Sequence, residues 1–203
     1  ARVAVAGLSA GASMAVWMAA LYPGRFCAVA MHSGVAPGTA ESSGTAMVAM
    51  QGRREAHLPE PVEPLPSATQ RGRGDQPQGT AAAVVGATHK GTAIRALPPL
   101  LVVHGDADGV VSLRNAAATA ALWADALGAS AGPVRTLQRG QRHAMQVTDF
   151  KARGRTVVTL REVKGLAHAW SGGTASQPFS DPVGPDASAL VWAFVARQFV
   201  GKK

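Results

Sequence analysis

The sequence predicts an α/β fold in which a doubly wound, mostly parallel sheet carries packed helices. Two apolar segments of strand length, residues 2–6 and 100–104, are each followed by a segment with apolar residues at helical spacing. The first helical segment leads into another short apolar run, residues 25–32, which completes a strand-helix-strand unit. Such a unit places its strands parallel in one sheet through a right-handed crossover, and this predicts the fold class.

The composition is that of a globular domain with a substantial hydrophobic core. The chain has 203 residues, of which 47% are hydrophobic and 16% charged, and we predict a single domain over residues 1–203. No apolar run is long enough to cross a bilayer, so no membrane span is predicted. The single cysteine, Cys27, excludes an intrachain disulfide and a thiolate metal cluster.

The first half of the chain contains one clear helix and one long irregular segment. Residues 12–21 are predicted to form a helix that ends before Pro23. Residues 37–98 show no period apart from a weak helical stretch at 45–50, and their middle, residues 52–79, is rich in Pro and Arg. A structureless segment of this length inside a domain is uncommon, so it is predicted to be a lid-like loop or an insertion.

The second half resumes the alternation of helix and strand. A helix is predicted over residues 112–127 with Ser112 as its N-cap, and a final helix over 186–200 with Asp186 as its N-cap. Between them lie three predicted strands, at residues 134–138, 144–150 and 156–163. The last two are predicted to pair as an Arg-rich hairpin through a turn at residues 152–155.

The segment Gly7-Leu8-Ser9-Ala10-Gly11 stands between an apolar strand and a helix. A serine with small residues two positions away on both sides, in this context, predicts a sharp turn that presents the Ser9 hydroxyl above the carboxyl edge of the sheet. The glycines are expected to leave room for that turn. The N–H of Ala10 opens the following helix, where an acyl-transfer intermediate would develop negative charge, so Ala10 is a candidate oxyanion donor.

A serine nucleophile needs a histidine base, and in this type of fold the chain order is serine, acid, histidine. His168 fits, because it follows the predicted strand at 156–163 and is flanked by glycine-containing segments. His143 is the second choice, but it lies among Arg139 and Arg142 before a hairpin strand, where a solvated surface role is favoured.

Two aspartates compete for the role of the acid. Asp106 and Asp108 both follow the apolar strand at 100–104, at the edge where functional loops of a doubly wound sheet lie. Asp108 is favoured because it has turned past the strand end and can reach the histidine loop. Asp106 is expected to cap its own turn through local backbone hydrogen bonds.

These residues resemble the α/β-hydrolase esterases of the poly(3-hydroxybutyrate) depolymerase family. The resemblance covers nearly all of the chain and is closest in Gly7-Leu8-Ser9-Ala10-Gly11-Ala12-Ser13-Met14, His32-Ser33-Gly34, His104-Gly105-Asp106-Ala107-Asp108 and His168-Ala169-Trp170-Ser171-Gly172-Gly173. It implies that Ser9 is the nucleophile, Asp108 the acid and His168 the base. It further implies hydrolysis of short 3-hydroxyalkanoate chains or related carboxylic esters through an acyl-enzyme, and it suggests secretion. Ser33 and Trp170, in two matching segments, are candidate substrate-loop residues.

The chain departs from the family pattern in two places. The family has several strands before the nucleophile turn, including the loop that supplies a second oxyanion amide, and this chain enters at the nucleophile strand. We therefore expect the C-terminal portion of a longer catalytic domain, with Ala10 supplying half of the oxyanion hole. The Pro- and Arg-rich residues 52–79 have no counterpart in the pattern.

Two other functions compete with a polyester or small-ester hydrolase. A feruloyl-type or general carboxylesterase would use the same three residues, because loops set the substrate. A basic module that binds polyanions is suggested by the net charge of +8. However, the arginines fall in the irregular segment and around the hairpin without interleaved aromatic residues, so no specific nucleic acid partner is predicted. No metal or cofactor is predicted, because no two histidines have a ligand-like spacing.

Overall fold

The structure is a computed structural model that describes residues 3–62 and 96–200. Most of the irregular segment predicted at 37–98 therefore lies outside the described residues. The helices are α1 (Ala10–Leu21), α2 (Ser43–Met50), α3 (Arg114–Ala126) and α4 (Ala187–Val200). The strands are β1 (Ala4–Leu8), β2 (Ala28–His32), β3 (Leu100–Gly105), β4 (Ser130–Ala131), β5 (Arg135–Leu137), β6 (Met145–Ala152), β7 (Arg155–Val163), β8 (Trp170–Ser171) and β9 (Ser180–Asp181).

The central sheet has the strand order β1-β2-β3-β7-β6-β4, with β5 also paired to β6. Strands β1, β2, β3 and β7 run parallel, and β6 joins β7 as an antiparallel hairpin. The hairpin turn uses Arg153 and Gly154, both at positive φ. The predicted mostly parallel fold and the predicted hairpin are both confirmed.

Helices cover both faces of this sheet. On one face, Val16 of α1 and Trp123 of α3 are fully buried against Val102 of β3. On the other face, Phe194 of α4 packs with Leu101 of the same strand. Every residue of β2 and β3 is buried, because alternate side chains enter the two core layers. The sheet is therefore doubly wound, as predicted.

Element boundaries differ from the predictions mainly at helix starts. Helix α3 begins at Arg114 with Leu113 in the N-cap position, one residue after the predicted Ser112, although the Ser112 Oγ accepts from the Arg114 N–H at 3.3 Å. Asp186 is an N-cap as predicted, because its carboxylate accepts from the Ala189 N–H at 2.9 Å. Strands β4, β8 and β9 were not predicted, since two residues show no period. None of the helices in the described ranges is of the length and apolarity that crossing a bilayer requires.

Candidate active site

Three loops meet at the carboxyl edge of the parallel strands. Ser9 follows β1, Asp108 follows β3 and His168 follows β7, and these strands run in the same direction within one sheet. Because the carboxyl ends of parallel strands share one edge, loops far apart in sequence lie side by side there. The structure thus brings together the three residues that the sequence singled out.

The turn between β1 and α1 holds Ser9 in a strained conformation. Its φ of 55° and ψ of −124° lie in a region that side-chain-bearing residues rarely adopt. The Ser9 N–H donates to the His32 carbonyl at 2.9 Å, and the Ser9 carbonyl accepts from the Ala12 and Ser13 amides. These bonds tie the turn to β2 on one side and to α1 on the other.

The two flanking glycines contribute unequally to this turn. A Cβ on Gly7 would collide with the backbone carbonyl of Gly11, so position 7 requires glycine. A Cβ on Gly11 would meet nothing within 4 Å. The expectation that both glycines make room for the turn is correct for Gly7 and wrong for Gly11.

A continuous chain of hydrogen bonds joins the three loops. The Nε2 of His168 lies 3.0 Å from the Ser9 Oγ, and its Nδ1 lies 2.8 Å from the Asp108 Oδ2. The Asp108 side chain is fully buried, and that of His168 is 10% exposed. An imidazole whose Nδ1–H donates to a carboxylate leaves Nε2 free to accept the hydroxyl proton of Ser9. The arrangement is suited to general base activation of a serine.

Backbone amides hold Asp108 in its charged form. Burial opposes ionisation, but the N–H groups of Val111 and Val110 donate to its Oδ1 at 2.8 and 2.9 Å, and His168 donates to its Oδ2. The net result is a pKa of Asp108 below the usual carboxyl range. Asp108 thus caps its own turn with one oxygen and orients His168 with the other.

Asp106 has a different task from the predicted one. Its Oδ2 pairs with the Lys164 ammonium at 2.9 Å and its Oδ1 accepts from the Gly165 N–H at 2.7 Å. Burial alone would raise the pKa of Asp106, but these donors lower it overall. The expectation of a purely local cap is wrong, because Asp106 fastens the turn that leads into the His168 loop.

Two buried histidines that were not predicted to belong to the site lie beneath it. His104 is fully buried, and its Nε2 donates to the Val111 carbonyl at 2.8 Å and lies 3.4 Å from the Asp108 Oδ2. Burial lowers the pKa of His104. Burial likewise lowers the pKa of His32 to about 3. Both imidazoles are therefore neutral and act as fixed hydrogen-bonding groups.

Ser33 and Trp170 both contact His32, and they are not among the residues that line the cavity described below. Ser33 is fully buried at a φ of 52°, with its Oγ 3.1 Å from the His32 Nδ1. The Trp170 ring stacks on His32 with centroids 5.1 Å apart, and its Nε1 donates to Ser188. Their role as substrate-loop residues is thus not supported by position. The burial of Ser33 could have been inferred from the sequence, because the predicted apolar strand at residues 25–32 ends at His32, directly before it.

His143, the alternative base, is paired with Asp181 rather than with Ser9. Its Nε2 is 3.2 Å from the Asp181 Oδ2, and its N–H donates to the Val183 carbonyl. This contact joins the β6 side of the sheet to the β9 loop. Within the described residues, no group of three or more His, Cys, Asp or Glu side chains is placed to hold a metal ion.

An apolar cavity of about 580 Å³ opens beside Ser9. Ser9 and Ala10 line the cavity, and its other lining residues come from α1, residues 35–41, α2 and Val111. The apolar lining includes Met14, Trp17, Val35, Ala46, Met50 and Val111. Ala10 is the first residue of α1, so its N–H precedes the first intrahelical acceptor and is available to a ligand.

Comparisons with known proteins agree with this geometry. The family model described as Esterase PHB depolymerase matches residues 1–70, which include β1, the Ser9 turn and β2. The match confirms the resemblance predicted from the sequence over residues 1–70. An acetyl xylan esterase from Aspergillus awamori has a similar structure, with a TM-score of 0.51 and 21% sequence identity. The chain has an α/β-hydrolase fold.

The structural match covers 82% of this chain and 54% of the acetyl xylan esterase, so this α/β-hydrolase chain spans about half the length of that relative. Among curated proteins, no sequence matches the chain.

Replacement of the two glycines around Ser9 should have opposite effects. Gly7→Ala is expected to lower the free energy of unfolding by about 2 kcal/mol or more, because its Cβ collides with backbone. Gly11→Ala is expected to raise it by up to about 1 kcal/mol, since alanine is the better helix former and the space is open. Urea unfolding of both variants measures the difference, and equal destabilisation would contradict the assigned roles.

The Asp106 contact should contribute stability only where the carboxylate is ionised. Asp106→Asn is expected to lower the free energy of unfolding at pH 7 by about 1 kcal/mol, because the ion pair with Lys164 is lost. The folded-state pKa is lowered, so this contribution is present above the ordinary carboxyl range and disappears as the pH falls through the lowered pKa.

The measurement is urea unfolding of wild type and Asp106→Asn at pH 7 and at pH 3. The difference between the two proteins should shrink at the lower pH. Lys164→Met is the matched control, because it removes the same ion pair from the other side. A difference that stays constant between the two pH values would rule out the ionic contribution.

Proposed function

We propose that the protein is a serine hydrolase that cleaves carboxylic esters through an acyl-enzyme. Ser9 is the nucleophile, His168 the general base and acid, and Asp108 the group that orients His168. The observation that carries the proposal is the unbroken hydrogen-bond chain from Asp108 through His168 to Ser9. The hydrogen-bond chain lies at the carboxyl edge of an α/β-hydrolase sheet, and Ser9 stands in the segment, residues 1–70, that is similar to an esterase family; both facts support the same conclusion.

The geometry supports a two-step reaction. The Ser9 Oγ attacks the ester carbonyl carbon while His168 Nε2 takes the hydroxyl proton, and the resulting oxyanion faces the Ala10 N–H. Asp108 holds the imidazole in the tautomer with the proton on Nδ1 and stabilises the imidazolium. His168 then gives the proton to the leaving alkoxide. Water, activated by the same nitrogen, releases the acid from the acyl-enzyme.

Esters of 3-hydroxybutyrate, as polymer or oligomer, are the first candidate substrates. The support is the match of residues 1–70 to a family described as Esterase PHB depolymerase. A feruloyl-type or other carboxylesterase is the second candidate, and the similar solved structure is titled as an acetyl xylan esterase. Comparing hydrolysis of hydroxybutyrate oligomers, feruloyl esters and acetylated xylan separates these substrates. The family resemblance also favours a secreted enzyme.

A polyanion-binding module without catalysis is the alternative of another class. Several arginines around the hairpin are already engaged within the chain: Arg135 pairs with Asp149, and Arg142 donates to the Gly184 carbonyl. Arg161 is partly buried and donates toward the Met145 sulfur. These contacts leave fewer free guanidinium groups for a shared anionic ligand, which favours the hydrolase.

The direct test is covalent labelling of the full-length protein with a fluorophosphonate probe. A single probe should add to Ser9, because the reagent requires a serine activated by a base. Intact-protein and peptide mass spectrometry locate the label. Absence of labelling, or labelling at another residue, would reject the proposal.

Substitution of the other two residues should lower ester hydrolysis without unfolding the protein. Asp108→Asn and His168→Gln are each expected to reduce kcat by about 10⁴-fold, because the imidazole loses its correct tautomer or is absent. Steady-state kinetics on a p-nitrophenyl ester measure the loss. His143→Gln is the matched control, because His143 contacts Asp181 and not Ser9, and its activity should stay within about threefold of wild type. A comparable loss in the control would contradict the assignment of the base.

A further inference from the structure

We propose that the cavity beside Ser9 is the acyl subsite of the enzyme and that it takes a neutral, apolar acyl chain. The inference rests on the proposed function and adds to it which half of the ester enters the cavity and what chemistry that half has. It follows from three features: the position of the cavity relative to His168, the chemistry of its wall and the exposed ring of Phe179 beside His168.

The position of the cavity decides which half of the ester it receives. Ser9 and Ala10 line it, whereas His168 and Asp108 do not. The leaving alkoxide must face the His168 Nε2, because that nitrogen supplies its proton. The carbonyl oxygen must face the Ala10 N–H. The remaining substituent of the carbonyl carbon, the acyl chain, is therefore directed away from His168 and into the cavity.

The wall of the cavity is mainly apolar and has few free hydrogen-bonding groups among the described residues. Met14, Trp17 and Met50 present large apolar side chains along it. Ser13, a polar lining residue, already uses its Oγ to accept from the Val35 N–H at 2.9 Å and to donate to the Ser9 carbonyl. A chain of methylene groups would bury against these surfaces without leaving a polar group unpaired.

The cavity lining offers no cation to an anionic acyl group. Glu41 is the one charged side chain among the described lining residues, and it is exposed and 3.7 Å from Arg54. A carboxylate on the acyl chain would therefore lose hydration against an apolar wall without gaining a cationic partner among the described lining residues. The cavity volume of about 580 Å³ falls within the range of pockets that enclose small organic ligands. The expected acyl group is thus neutral and longer than acetyl.

Phe179 lies on the His168 side of the site. It is 66% exposed at a φ of 52°, and its ring meets the His168 ring edge-on with centroids 6.3 Å apart. Among the described residues, this exposed ring is what an alcohol that leaves past His168 would meet. The length of the alcohol should therefore influence the rate much less than the length of the acyl chain.

The test is a pair of ester series assayed with the full-length protein. In the first, p-nitrophenyl esters from acetate to decanoate vary the acyl chain with a constant leaving group. We expect kcat/KM to rise about two- to fourfold for each methylene until the cavity is filled. In the second, acetate esters of linear alcohols of increasing length should vary by less than about threefold over the whole series.

Variants on α2 locate the effect in the cavity. Ala46→Leu and Ala46→Phe fill the cavity progressively, because Ala46 lines it and is small. They should move the optimum to shorter acyl chains in that order, and Ala46→Phe should lower kcat/KM for octanoate about tenfold or more while acetate stays within about threefold. Val48→Phe is the matched control, since Val48 lies on the same helix, is 42% exposed and does not line the cavity. It should leave both series unchanged.

The outcomes separate this inference from the proposed function. Labelling of Ser9 and hydrolysis of acetate, with rates that are flat or falling along the acyl series, would overturn the acyl subsite and leave the hydrolase intact. A steep dependence on alcohol length with a flat acyl series would show that the cavity takes the other half of the ester. Absence of both labelling and hydrolysis would reject the proposed function and the subsite together. The wild-type series decides the matter even if an Ala46 variant does not fold.

Discussion

The site depends on the hydrogen bond between the His168 Nδ1 and the Asp108 Oδ2. It joins loops from β3 and β7, and through His168 it reaches Ser9, 159 residues earlier in the chain. Because Asp108 is fully buried, removing its charge from water costs free energy. Fixed hydrogen-bond donors offset this cost and keep the carboxylate ionised. The amides of Val110 and Val111 supply them, and the strand that precedes this turn is fully buried. The buried strand β3 therefore fixes the turn whose amides stabilise the ionised carboxylate of Asp108.

The layer beneath the site gives this hydrogen bond its geometry. Neutral His104 holds the Val111 carbonyl beside Asp108, and Asp106 fastens the turn ahead of His168. At Gly105 the backbone of β3 lies so close to the Leu166 carbonyl that a side chain would collide with it. The loops thus approach through backbone contacts and buried polar groups rather than through flexible surface side chains. Such supports keep reacting groups close to their working geometry before a substrate binds.

Much of this arrangement was predictable from sequence, because it depends on local patterns. An unbroken apolar run located β3, alternation located β7, and the segment around Ser9 predicted the turn. Chain order together with position after a strand singled out His168 and the aspartates that follow β3. The wrong predictions concern contacts between loops. Asp106 was expected to form hydrogen bonds within its own turn, but its partners, Lys164 and Gly165, lie in another loop. Ser33 was expected near a substrate and is fully buried, which residue type alone does not report. The cavity likewise depends on how α1, α2 and residues 35–41 come together, which no short pattern contains.

The central claim is that Ser9, His168 and Asp108 act as one unit. The most direct measurement is a double-mutant cycle on kcat/KM for ester hydrolysis, with His168→Gln, Asp108→Asn and the double variant. Groups that act through one another do not have additive effects, so the double variant should be about as slow as His168→Gln alone. Losses that multiply in the double variant would show that Asp108 acts independently of His168 and would contradict the account.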